Sequence, residues 1–137
     1  MYKIMLADDA GFMRKMIQNH LSGVGYTDFV EAADGAQAVE LYQEHKPDLV
    51  LLDIMLPGID GQEVLKQILD ITMPNMSGIE ALAAIKQIDP NSKVVMCSAM
   101  GQESMVMEAI KLGALDFIVK PFKQDRIVQT VTKILPL

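Results

Sequence analysis

The chain has 137 residues, half of them hydrophobic, with one cysteine (Cys97) and a formal charge of −6. That length suits one domain with a real core, the lone cysteine excludes an intramolecular disulfide and any multi-cysteine metal site, and the acidic balance argues against nucleic acid while admitting cations and basic partners. No apolar run approaches the roughly 18–20 residues of a membrane span, and MYKIMLADDA turns acidic too early for a signal peptide, so a cytoplasmic protein without a membrane partner is expected.

KIMLAD (3–8) is a continuous apolar run of the kind that forms a strand covered on both faces. FMRKMIQNHLSG follows as a helix, with Met13, Met16, Ile17 and Leu21 on one face and Gly23 as a stop signal. DFVEA (28–32) reads as a strand. DGAQAVELYQEHK reads as a helix with Asp34 at its N-cap, separated by Pro47 from the most apolar strand, DLVLLDI (48–54). Two helices then stand where one would do. GQEVLKQIL (61–69) lines up Val64, Leu65, Ile68 and Leu69; GIEALAAIKQID lines up Ile79, Leu82, Ile85 and Ile88. Pro74 makes the intervening ITMPNMS a poor continuation of either. KVVMCSA (93–99) is a strand, QESMVMEAIKLG a helix and LDFIVKP (115–121) a strand. DRIVQTVTKIL closes the chain as a helix with Ile127, Val128, Val131, Ile134 and Leu135 on its apolar face. The alternation predicts a single α/β domain over 1–137: a doubly wound parallel five-stranded sheet with one helix to spare.

Ligands of an open parallel sheet bind beyond the carboxyl ends of its strands. There the sequence places Asp8 and Asp9, Asp53, Ser98 and Lys120. Clustered carboxylates repel unless a cation lies among them, and oxygen ligands with room for water suit Mg²⁺. A metal plus a lysine also matches the charge on a transferring phosphoryl group, and an aspartate can be its acceptor. One aspartate at a strand end is more often a cap or turn former; five such groups, each at a strand end, are not explained that way. Cys97 reads as a buried strand residue, His20 and His45 as surface or capping residues, and most of the eleven methionines as core filler.

The stretches D-D-A-G-F-M-R, L-L-D-I-M-L-P-G-I-D-G, C-S-A-M-G and D-F-I-V-K-P-F resemble the receiver domain of bacterial two-component response regulators, the stand-alone chemotaxis (CheY-type) kind above all. The resemblance spans essentially the whole chain apart from 17 surplus residues. It implies a flavodoxin-like sheet of order 2-1-3-4-5. By the same likeness Asp8, Asp9, Asp53 and the Met55 backbone carbonyl would hold Mg²⁺. A histidine kinase would phosphorylate the aspartate of strand 3, Ser98 would follow the phosphoryl group, and Phe117 would be the coupled switch aromatic. Lys120 would contact the phosphate and precede a cis peptide at Pro121. No enzyme activity is expected beyond Mg²⁺-dependent self-phosphorylation and dephosphorylation. The implied output is protein contact, with a flagellar-motor switch component as target, through Met105 to Leu112, Phe117 and Arg126 to Lys133.

The surplus is an internal repeat. D-I-x-x-P-x-x-x-G runs from Asp53 to Gly61 and again from Asp70 to Gly78, so the copies occupy 53–69 and 70–86. Asp9 to Asp53 is 44 positions, in register with a receiver's first half; Asp70 to Ser98 is 28 and Ser98 to Lys120 is 22, in register with its second. Divergence at Gly58 against Asn75 and Lys66 against Ala83 points to a fusion of two receivers or an old duplication. Asp53 is the expected acceptor and Asp70 its alternative, because LVLLD can form a buried central strand. EVLKQILD would bury Lys66 and Gln67, which costs several kcal/mol for unpaired polar groups. Helix 78–88 is expected in the third-helix slot, leaving the aliphatic face of 61–69 to pack elsewhere or to form a homodimer.

Three other readings compete. A haloacid dehalogenase-type phosphatase would need an aspartate two positions past the acceptor, where Met55 and Thr72 stand; a flavodoxin would need a Ser/Thr/Gly-rich phosphate loop in place of Ala10 to Met13. A scaffold that keeps the fold and has lost signalling, dimeric or domain-swapped, is the alternative that the repeat itself suggests.

Overall fold

Short runs of β-branched and aliphatic residues, each too brief for a stable helix, pair side by side as β1 (Lys3–Ala7), β2 (Asp28–Ala32), β3 (Leu49–Asp53), β4 (Val94–Ser98) and β5 (Asp116–Val119). The computed structural model describes residues 2–54, 78–99, 102–120 and 123–137. The strands form one sheet of order β2-β1-β3-β4-β5, and every pairing is parallel. This is the expected flavodoxin-like fold. β3 and β4 are buried at all five positions, as doubly covered strands must be.

Five helices are described: α1 (Gly11–Ser22), α2 (Gly35–His45), α3 (Gly78–Ile88), α4 (Glu103–Lys111) and α5 (Gln124–Ile134). The two-residue period of the strands splits the core by sheet face. Ile4, Leu6, Leu49, Leu51, Val95 and Cys97 meet Ile17 and Leu21 of α1 and Ile127 and Val131 of α5. Met5, Val50, Leu52, Val94 and Met96 meet Ala38 and Tyr42 of α2, Leu82 and Ile85 of α3 and Ala109 of α4. Asp34 caps α2 as expected, its carboxylate accepting from the Gln37 amide at 2.8 Å.

Among the described residues, the helix between β3 and β4 is α3, the 78–88 helix expected in the third-helix slot, and it packs on α2, α4 and β3. Its apolar face differs from the expectation at one end. Ile88 is 39% exposed, because the buried stripe is Gly78, Ala81, Leu82 and Ile85 and the last turn overhangs its neighbours. The expected helix 61–69, the second-copy Asp70, and the Met55 and Pro121 positions lie outside the described residues. Among the described residues no helix is long and apolar enough to cross a membrane.

Candidate functional site

The parallel arrangement puts the strand C-termini along one edge, and four of them deliver polar groups to one place. Asp8 follows β1 directly, with its amide bonded to the Ala32 carbonyl of β2 at 3.0 Å. Its carboxylate accepts from the Ala10 amide at 2.9 Å, a local turn bond that fixes its direction. Asp53 ends β3, in register with Cys97. Ser98 ends β4, and its carbonyl accepts from the Lys120 amide at 2.6 Å just past β5. Asp8, Asp53 and Ser98 are buried, whereas Asp9 is exposed.

Oxygens of Asp8, Asp9 and Asp53 all lie within 4.8 Å of one another. The Lys120 ammonium reaches between the two buried carboxylates, 2.9 Å from Asp53 Oδ2 and 3.2 Å from Asp8 Oδ2. Burial alone would lower the Lys120 pKa; the hydrogen bond and charge of Asp53, then those of Asp8, outweigh it and hold the group above the ordinary lysine value. Cys97, the register partner of Asp53 on β4, is pushed up to about 12 by burial first and by the Asp53 charge second, so it remains an inert thiol. The oxygen-only donors, open on the Asp9 side, fit a hard cation that retains part of its water shell.

Five of the expected site residues therefore converge: Asp8, Asp9, Asp53, Ser98 and Lys120. Phe117 is half-buried and lines two cavities. One, of 270 Å³, runs between α4 and β5 to Ser98 and is lined also by Val106, Met107 and Ile110. The other lies towards Lys123 and Arg126.

Two contributors were not legible in the sequence. Arg14, one turn into α1, donates from Nη1 to the Asp8 carbonyl at 2.5 Å and pairs through Nε with Glu31 of β2 at 2.9 Å, tying the Asp8 backbone to two elements. Gln102 accepts the Ala99 amide through Oε1 at 2.6 Å beyond β4. The available signal was a cation one helical turn past the Asp pair, facing an acid on the adjacent strand.

The family model of the response regulator receiver domain matches residues 4–69 and, a second time, residues 67–132. The chain belongs to the response regulator receiver family. Chemotaxis protein CheY of Bacillus subtilis is 49% identical over 134 residues, covering 98% of each chain; that of Thermotoga maritima is 46% identical over 132 residues, covering 96% of each. Among solved structures, the CheX–CheY–BeF3–Mg complex of Borrelia burgdorferi superposes with a TM-score of 0.78 at 32% identity, over 99% of this chain and 90% of that one. The receiver domain of NtrX from Brucella abortus gives 0.78 at 30% identity, over 96% and 97%. The two matches overlap at residues 67–69.

Proposed function

We propose that this receiver is a Mg²⁺-dependent phospho-acceptor of a chemotaxis-like two-component system, with Asp53 as the residue modified and a protein-binding face as its output. The observation that carries this reading is the Lys120 ammonium held between Asp53 and Asp8, with Asp9 completing the carboxylate cluster. Asp8, Asp9 and Asp53 are the residues that would hold Mg²⁺, which when bound neutralises charge on the phosphoryl oxygens. In the transfer, an Asp53 carboxylate oxygen forms the new bond to phosphorus. The bond from phosphorus to the donor's imidazole nitrogen breaks, and its electron pair stays on that nitrogen. Lys120 then exchanges part of its pairing with the carboxylates for a phosphoryl oxygen, and the Ser98 hydroxyl, one residue beyond the register partner of Asp53, offers a further donor.

Phosphorylation adds negative charge and strong acceptors at the strand ends. Ser98 and Phe117 share the cavity between α4 and β5, so a shift of Ser98 towards the phosphoryl group changes the space open to the Phe117 ring. Met107, Ile110 and Val119 are exposed around that ring and form the apolar part of a face for a protein target, a flagellar-motor switch component by resemblance. A histidine kinase is the phosphodonor in this reading, and the protein catalyses only its own phosphorylation and dephosphorylation. The test is incubation with acetyl phosphate and Mg²⁺ followed by intact-mass measurement; a chain that gains no phosphoryl group at any Mg²⁺ concentration contradicts the proposal.

A further inference from the structure

Each copy of the repeat opens with an aspartate and has a glycine eight positions on, Asp53 with Gly61 and Asp70 with Gly78. The structure joins them crosswise. Gly78, buried at the first position of α3, lies so close to β3 that a Cβ would collide with the Asp53 carbonyl oxygen and stand 2.9 Å from that of Ile54. Both obstacles are backbone, which cannot swing aside as a flexible side chain would. Ile54 is itself fixed: its amide donates to the Cys97 carbonyl at 2.8 Å, and its side chain is fully buried in the core shared with α2, α3 and α4. The end of β3 is thus clamped between β4 on one side and the first turn of α3 on the other.

We propose that the acceptor motif of this receiver is composite, with Asp53 from the first copy and Gly78 from the second, Gly78 acting as a positioning residue. The absent side chain lets α3 seat against the Asp53 and Ile54 carbonyls, and that contact sets where the Asp53 carboxylate stands relative to Lys120 and Asp8. Asp53 and Gly78 are 25 positions apart where a single copy has 8, which leaves 17 positions surplus to the motif. The catalytic half of this inference rests on the phospho-acceptor reading; the structural half does not.

The experiment compares Gly78→Ala with Gly61→Ala in the full chain by two readouts. One is the rate of labelling by acetyl phosphate at saturating Mg²⁺; the other is the backbone amide resonances of Asp53, Ile54 and Lys120 with hydrogen exchange at Ile54. Gly78→Ala is expected to slow labelling on the order of a hundredfold, the effect of misplacing a reacting group by about 1 Å, to shift the three resonances and to speed Ile54 exchange. Gly61→Ala leaves the rate and the resonances as in the parent. Should Gly78→Ala fail to fold, a chain lacking residues 54–70 places Asp53 and Gly78 eight apart and must reproduce the parent's Asp8, Asp53 and Lys120 resonances. A response to Gly61→Ala but not to Gly78→Ala overturns the composite motif, as does loss of those resonances in the shortened chain. A parent that is never labelled, yet whose resonances move with Gly78→Ala alone, refutes the phospho-acceptor reading and upholds the composite motif.

Discussion

Lys120 carries the one cation that meets both buried carboxylates among the described residues, and its removal separates two effects. Lys120→Met removes the ammonium shared by Asp8 and Asp53, at a cost of roughly 1.5–3 kcal/mol for lost hydrogen bonds between charged groups. Mg²⁺ no longer competes with an ammonium in that variant, so millimolar Mg²⁺ should raise its Tm more than the parent's; equal shifts would show that the cation does not bind among these carboxylates. The raised Lys120 pKa has a definite sign in stability. The folded protein holds the proton more tightly than the unfolded chain, so the contribution is complete below an unfolded value of about 10.4 and is lost as pH climbs through the folded one. Tyr42 acts in the same window. Burial, and next its 3.0 Å hydrogen bond to Asp89, push the phenol up to about 12, so above about pH 10 the unfolded chain gives up a proton that the folded one keeps. Urea midpoints should fall steeply from pH 10 to 12, and less steeply in Tyr42→Phe; identical slopes would contradict the Tyr42 part.

The helices show what periodicity can and cannot reveal. All five strand positions were legible: the doubly covered β3 and β4 as apolar runs, LVLLD and VVMCS, and the less buried β2 and β5 as short β-branched and aromatic runs, DFVEA and DFIV. The stripe of α3 was legible over Leu82 and Ile85 but not at Ile88, since the period gives a direction around the helix and not where neighbouring elements stop. The same limit hid Thr130 of α5, which is buried with its hydroxyl donating to the Arg126 carbonyl at 2.9 Å, a polar residue on an otherwise aliphatic face. Ile85→Ala should therefore cost about 2–5 kcal/mol, whereas Ile88→Ala should stay within about 0.5 kcal/mol of the parent. Chemical denaturation that found the two equal would contradict the packing of α3. Asp34→Ala should cost about 1 kcal/mol through the lost bond to the Gln37 amide, and Asp34→Asn much less.

For the molecule as a whole, the acid cluster was legible because topology alone brings the ends of β1, β3, β4 and β5 to one edge. The supports of that cluster were not. Arg14 bonds the Asp8 carbonyl and Gly78 lies against the Asp53 and Ile54 carbonyls, and neither contact leaves a sequence period. The structure takes β1 to β3 from residues up to Asp53 and α3 onward from residues starting at Gly78, with Lys120 2.9 Å from Asp53. Excising residues 53–69 or 54–70 yields the same polypeptide, LLDITMPNMSG, so a shortened chain tests the fold but cannot say which aspartate accepted phosphate in the parent. Sedimentation of parent and shortened chains over micromolar concentrations decides the association expected of residues 61–69: a dimer lost on excision supports it, and a monomeric parent ends it.

Only the intact protein can answer the acceptor question. The deciding measurement is peptide-level mass spectrometry of the parent, Asp53→Asn and Asp70→Asn after acetyl phosphate and Mg²⁺. Asp53 stands against Lys120 and Asp8, so the parent and Asp70→Asn should each gain one phosphoryl group, on the peptide containing Asp53, and Asp53→Asn should gain none. Labelling that survives in Asp53→Asn and disappears in Asp70→Asn would place the second copy at the site and contradict the reading given to this fold.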